Sequence, residues 1–117
     1  MTQVAGLLGG LPTRTQEEIA AVLRRFPDIR WVKIYGSRAL GRQRPGSDID
    51  LAFSAPIDHS AALAAAFEEL PTPYLFDVTH WETLRHAGLR RHIAEAGVFW
   101  PGFVGPPLSA QRMDHDP

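Results

Sequence analysis

Gly36-Ser37-Arg38-Ala39-Leu40-Gly41-Arg42-Gln43-Arg44-Pro45-Gly46-Ser47-Asp48-Ile49-Asp50-Leu51-Ala52-Phe53 decides the fold. It reads as a turn rich in glycine and arginine that feeds a strand, and that strand opens with two carboxylates one residue apart. Side chains on a strand alternate between faces, so Ile49, Leu51 and Phe53 fall on one side and Asp48 and Asp50 on the other. The two acidic Cα atoms then stand roughly 6–7 Å apart. Acids that close repel each other unless positive charge lies between them. Hard oxygen donors of this kind favour Mg²⁺ carried in with the phosphates of a nucleotide.

Immediately upstream, Arg30 to Tyr35 alternates β-branched and aromatic residues, which predicts a strand with Val32 and Ile34 pointing into a core. Gly36 breaks that strand. Gly36-Ser37 can open a short helical turn whose free N–H groups suit a phosphate, with the Ser37 hydroxyl as an added donor. Arg38, Arg42 and Arg44 lie close by and add charge.

Further upstream, Thr13 and Thr15 are followed three residues later by Gln16 and Glu18, the spacing of a capping box. Ile19, Val22, Leu23 and Phe26 form a helical apolar stripe that Pro27 ends. Downstream, Pro56 stops the acidic strand, and Asp58 or Ser60 can cap a second helix with Leu63, Ala66, Phe67 and Leu70 on its inner face. Tyr74 to His80 then predicts a third strand in which Asp77 is the conspicuous acid. A strand, a crossover helix and a strand give parallel neighbours, which brings Asp77 beside the face of Asp48 and Asp50 as the third carboxylate. Trp81 to Leu84 reads as a helical turn interrupted near Gly88. Leu89, Ile93 and Ala96 continue helically toward a Gly97 cap, and Val98 to Trp100 forms an edge strand before Pro101.

Composition sets the frame. With 117 residues and 44% hydrophobic content, the chain suits one small domain with a true core. A net charge of −1 argues against a broad nucleic-acid-binding face. The absence of cysteine removes disulfides and thiolate metal sites and fits a cytoplasmic protein. The apolar start, residues 1–11, is too short to span a membrane and lacks a basic leader region. Residues 1–12 are therefore expected as an N-terminal extension, 13–101 as the domain, and 102–117 as a loose tail rich in glycine and proline.

The joint pattern of strand, Gly-Ser, a ten-residue interval and Asp-x-Asp on an apolar-backed strand resembles the signature of the polymerase-β-like nucleotidyltransferase superfamily. The wording Tyr35-Gly36-Ser37-Arg38-Ala39, with Arg44-Pro45-Gly46-Ser47-Asp48-Ile49-Asp50-Leu51-Ala52, looks like its minimal stand-alone prokaryotic members. The resemblance implies an α/β (α+β) fold, a small mixed sheet flanked by helices. It also implies ATP as nucleotide donor and two Mg²⁺ ions held by Asp48, Asp50 and Asp77, with Asp77 near the acceptor as ligand or general base. Gly36 and Ser37 would hold the β- and γ-phosphates. Many members place an arginine where this chain has Leu40, so Arg38 or Arg42 is expected to reach the triphosphate instead.

Members that modify small molecules or extend nucleic acids usually carry a further acceptor-binding domain. Minimal members instead pair with a small helical HEPN or substrate-binding protein, and in toxin–antitoxin pairs transfer AMP to a tyrosine of the toxin. The leading expectation is an antitoxin-type protein adenylyltransferase, in a homo- or hetero-oligomer. Two other readings stand beside it: a catalytically weak module that neutralises its partner by occlusion, and transfer to a small hydroxyl compound. His59, His80, His86, His92 and His115 are scattered without zinc-ligand spacing. His80 is expected to pack rather than line the cleft, Arg85, Arg90 and Arg91 to form a solvated helix face, and Trp31, Trp81 and Trp100 to pack.

Overall fold

A computed structural model describes residues 8–104 of the chain. Its order is a 3-10 turn Leu8–Gly10, helix α1 (Thr13–Leu23), strand β1 (Trp31–Tyr35), a 3-10 turn Gly36–Arg38, β2 (Ile49–Ser54), α2 (Ser60–Glu68), β3 (Phe76–His80), α3 (Ala87–Ala96) and β4 (Val98–Val104). Among the described residues the strands form one mixed sheet in the order β3-β2-β1-β4. β1 is antiparallel to β2 and to β4, whereas β2 and β3, joined through α2, are parallel. The sequence expectation of a small mixed sheet flanked by helices matches this architecture.

The period of two divides the sheet into two faces. Val32, Ile34, Ile49, Leu51 and Phe53 point toward α1 and α2, where Ile19, Leu23, Leu63 and Phe67 complete a fully enclosed core. Phe67 of α2 stacks on Phe76 of β3 with centroids 4.5 Å apart and planes 12° from parallel, which ties the crossover helix to the strand it delivers. Removing that ring by Phe67→Ala costs roughly 3–5 kcal/mol. The opposite face carries Tyr35, Ala52 and, from α3, the buried Ile93. It is covered by a single helix, and its polar residues are the ones that matter for chemistry.

Several local expectations are corrected. Helix α1 has Pro12 at its N-cap and no side-chain cap bond, so the Thr–Gln/Glu capping box does not form. Proline is already suited to a helix start, and Gln16 instead donates to the Leu11 carbonyl at 2.9 Å. The helix ends at Leu23 rather than Phe26, because Arg25 and Phe26 fold back as a turn onto Val22 and Leu23. Asp58 rather than Ser60 supplies the start of α2, accepting the Ser60 N–H at 2.9 Å. Gly88 lies inside α3, which His86 opens by accepting the Leu89 N–H at 3.0 Å. Gly97 ends that helix in extended rather than left-handed backbone. Glycine is needed there for closeness, since a Cβ would lie 2.5 Å from the Ile93 carbonyl oxygen.

Described residues on both sides of 13–101 take part in the structure. Leu11 is fully buried and Gly9 is hydrogen-bonded to the turn before β2, so residues 8–12 belong to the folded unit. β4 runs on through Pro101 and Gly102 to Val104, with its register to β1 shifting between Trp31 and Lys33. An edge strand with such an irregularity tolerates a residue that lacks an N–H. The rest of the expected tail, 105–117, lies outside the described residues, as does His115.

Candidate active site

The site is built where β1 ends, β2 begins and β3 runs alongside. Asp50 of β2 is the register partner of Tyr35 on β1 and of Asp77 on β3. Register partners share a face, and adjacent strands lie about 4.8 Å apart. Asp48 lies just before β2, where its charge acts on Asp50 and it lines one recess with Asp77. Asp50 and Asp77 therefore share one side of the sheet, the side opposite the main core, with Asp48 next to them at the start of β2. Asp48 and Asp77 are exposed and Asp50 is half-buried.

Burial raises the Asp50 carboxyl above the ordinary carboxylate range, and the charges of Asp77 and then Asp48 push it further in the same direction. The guanidinium charge of Arg38 opposes this. Tyr35 is 5% exposed and its hydroxyl lies 3.0 Å from Thr79 Oγ1. Burial is also the largest influence on this phenol, raising it above its ordinary value; the Thr79 hydrogen bond opposes that and the charges of Asp77 and Asp50 add to it. The acids therefore form an electron-rich cluster beside the buried Tyr35.

The Gly36–Arg38 turn closes one end of this cluster. Gly36 has φ +76°, and a Cβ there would lie 2.3 Å from Asp50 Oδ2. Only glycine lets the backbone pass this closely over the carboxylate. The turn's own first hydrogen bond runs from the Ala39 N–H to the Gly36 carbonyl at 3.1 Å. The N–H groups of Ser37 and Arg38 come before it and lie outside the turn's ladder. Ser37 is half-buried beside them.

The two arginines expected to serve the phosphates part company. Arg42 is exposed, its N–H returning to the Ser37 carbonyl at 2.8 Å. Arg38 is turned inward and is 5% exposed. Its NH1 donates to the Gly9 carbonyl at 2.8 Å and its NH2 to the Ser47 carbonyl at 2.9 Å, with the guanidinium 5.0 Å from the Tyr74 ring centroid. A guanidinium committed to two carbonyls fixes the loop between the turn and Asp48, so Arg38 supports the site from behind.

Among the described residues, no three His, Cys, Asp or Glu side chains gather closely enough to cage a metal ion. The donor set is nevertheless suited to Mg²⁺, which takes one or two carboxylates together with substrate phosphates rather than a closed protein cage. Beside the acids, an open recess of about 390 Å³ is lined by Asp48, Asp77, Glu68, Tyr74, Leu75 and Phe76.

One residue at the site escaped the sequence reading. His92, on α3, accepts the Gly36 N–H at its Nε2, 3.0 Å away. Its position after the motifs carries no spacing signal, and only the packing of α3 across the sheet reveals it. His80, by contrast, packs as expected: it is buried, 5.0 Å from the Phe53 centroid and 2.8 Å from the Ala55 carbonyl oxygen, at the other end of β3. Arg90 departs from the expected solvated face, since it donates to the Trp81 and Leu84 carbonyls and covers the Trp81 ring at 4.0 Å. No helix among the described residues is long and apolar enough to cross a membrane.

No curated protein matches the chain significantly. Solved structures with a similar fold include a toxin–antitoxin complex with AMP-PNP, at 21% identity over 82% of this chain and 77% of that one, with a TM-score of 0.59. They also include a mutant of the MntA–HpeT toxin–antitoxin pair, at 21% identity over 82% and 76%, with a TM-score of 0.63. A third is the MNT antitoxin complex with a tri-AMPylated HEPN toxin of Shewanella oneidensis, at 16% identity over 86% and 76%, with a TM-score of 0.52. Likeness at this level of identity establishes a shared fold. The family itself follows from the match of residues 17–99 to the model described as polymerase beta, nucleotidyltransferase, and the chain belongs to that family of nucleotidyltransferases.

Proposed function

We propose that this chain transfers AMP from ATP to a hydroxyl, a tyrosine, of a small helical HEPN-type partner, and neutralises that partner as an antitoxin. The observation that carries the reading is the register of Asp50 with Asp77 beside the Gly36-Ser37 turn. Its support in the comparisons is that the similar folds occur in toxin–antitoxin complexes, one with AMP-PNP and one with an AMPylated HEPN toxin.

Nucleotidyl transfer asks a protein mainly for placement and charge complementarity. The Ser37 hydroxyl and the N–H groups of the turn hold the β- and γ-phosphates, and the exposed Arg42 adds a cation there. Asp48, Asp50 and Asp77 would hold Mg²⁺, with Asp77 also serving the incoming hydroxyl. Two Mg²⁺ ions, when bound, supply the positive charge that stabilises both the attacking and the leaving oxygen. The acceptor oxygen bonds the α-phosphorus as the bridging oxygen leaves with pyrophosphate, while Asp77 draws the hydroxyl proton. Tyr35 and Thr79 hydrogen-bond to each other beside the acids.

The test is incubation with ATP labelled at the α-phosphate, Mg²⁺ and the co-expressed product of the neighbouring reading frame. Label on a tyrosine of that protein, lost with Asp48→Asn, is the expected result. A tight complex without label makes the chain an occluding module, and label released on a low-mass product when the chain acts alone makes the acceptor a small hydroxyl compound.

A further inference from the structure

Helix α3 touches the site through one contact that the transfer reading leaves without a role. His92 is half-buried, and its Nε2 takes the Gly36 N–H at 3.0 Å. An accepting Nε2 has its lone pair on the turn, so the ring proton of this tautomer sits on Nδ1. The imidazole also stands edge-on to Tyr35, with centroids 6.0 Å apart and an interplanar angle of 77°.

The helix that brings His92 here is itself firmly held. Ile93, the next residue, is fully buried. Lys33 Nζ on β1 donates to the Ile93 carbonyl at 3.3 Å and to the Ala94 carbonyl at 3.5 Å, while Arg90 reaches the Trp81 and Leu84 carbonyls at 2.9 and 3.0 Å. Packing of α3 therefore sets where Nε2 lies.

Gly36 is the residue that most needs such a hold. Its left-handed backbone passes so close to Asp50 Oδ2 that a small rotation of the incoming peptide redirects both the Ser37 donors and the carboxylate. β1 ends at Tyr35, so the sheet ladder does not continue through this N–H. An acceptor supplied from another layer fixes the peptide plane.

We propose that His92 is a positioning residue of the nucleotidyl-transfer site, clamping α3 to the phosphate turn through the Gly36 N–H. Its consequence for nucleotide affinity rests on the function proposed above, whereas the clamp itself does not. The imidazole acts through Gly36 and Asp50 and touches no reacting atom.

The test uses the full-length chain with His92→Ala and with His92→Gln, whose amide oxygen can still accept the N–H. Exchange of the Gly36 amide is followed by ¹⁵N NMR, and binding of Mg-ATP by calorimetry. Loss of one hydrogen bond speeds Gly36 exchange about three- to tenfold in the Ala variant, with Gln restoring most of the protection. Mg-ATP binding weakens by a similar factor in Ala and recovers in Gln, a pattern that a general packing defect does not give. Unchanged Gly36 exchange in the Ala variant overturns the clamp. So does tighter Mg-ATP binding in that variant, because the imidazole would then merely occupy a donor that phosphate wants. If the wild type binds no Mg-ATP while Gly36 exchange still depends on His92, the transfer reading falls and the clamp stands.

Discussion

Asp50 and Asp77 face each other across two parallel strands, and Tyr35 lies on Asp50's other side in the same row. This places two like charges about one strand spacing apart over a half-buried floor. Asp50→Asn and Asp77→Asn should each lower AMP transfer by roughly a hundredfold or more, since charge placement is most of what the protein contributes. Asp50→Asn should also raise the thermal midpoint of the nucleotide-free protein by relieving repulsion and desolvation. Calorimetry beside a transfer assay checks both, and a large fall in stability would make Asp50 a structural residue.

The pH dependence of stability follows from the same carboxyl. Burial first, then Asp77 and Asp48, raise Asp50 above its ordinary value of 3.8. Between that value and the raised one the folded state binds more protons than the unfolded state, so this group makes stability fall as pH rises through the window. Lowering the pH back through it removes the penalty. Urea midpoints of wild type and Asp50→Asn, measured across the window without Mg²⁺, should therefore converge at its acidic end and separate at its alkaline end.

Gly36→Ala tests the close passage of the turn over the acid. The new methyl would meet Asp50 Oδ2 at 2.3 Å in a backbone with φ +76°, so the turn and the carboxylate both have to shift. Transfer should fall at least tenfold, and stability by about 1–2 kcal/mol from the left-handed strain alone. The two readouts are the transfer rate at saturating ATP and the denaturant midpoint.

Arg38 should prove structural before it proves catalytic. Its buried guanidinium holds the Gly9 and Ser47 carbonyls, and removing it leaves both unpaired. Arg38→Ala should cost about 2–3 kcal/mol, and Lys should not rescue it because one ammonium cannot span two carbonyls in the same fork. Arg42→Ala should leave stability unchanged within about 0.5 kcal/mol and weaken ATP binding instead. Denaturation and nucleotide titration of both variants separate these roles.

The acidic row was legible because alternation on an apolar-backed strand fixes its face, and because a strand, helix and strand fix parallel neighbours. Both rules depend on residues close in sequence. The enclosure of Arg38 was not legible because its carbonyl partners lie at Gly9 and Ser47, and a charged residue in a turn gives no sign that its charge is enclosed. His92 was missed for the same reason: nothing but the packing of α3 puts it on Gly36. Pro101 and Gly102 looked like a stop, yet an edge strand with a register shift carries them.

Since β3 is the outermost strand of the sheet, no further strand among the described residues walls off Asp77 on its far side. A carboxylate on such a rim can be approached laterally by a body far larger than the neighbouring recess. Under the proposed function, a folded partner could then offer its hydroxyl at Asp77 from the open side without unfolding to thread it inward.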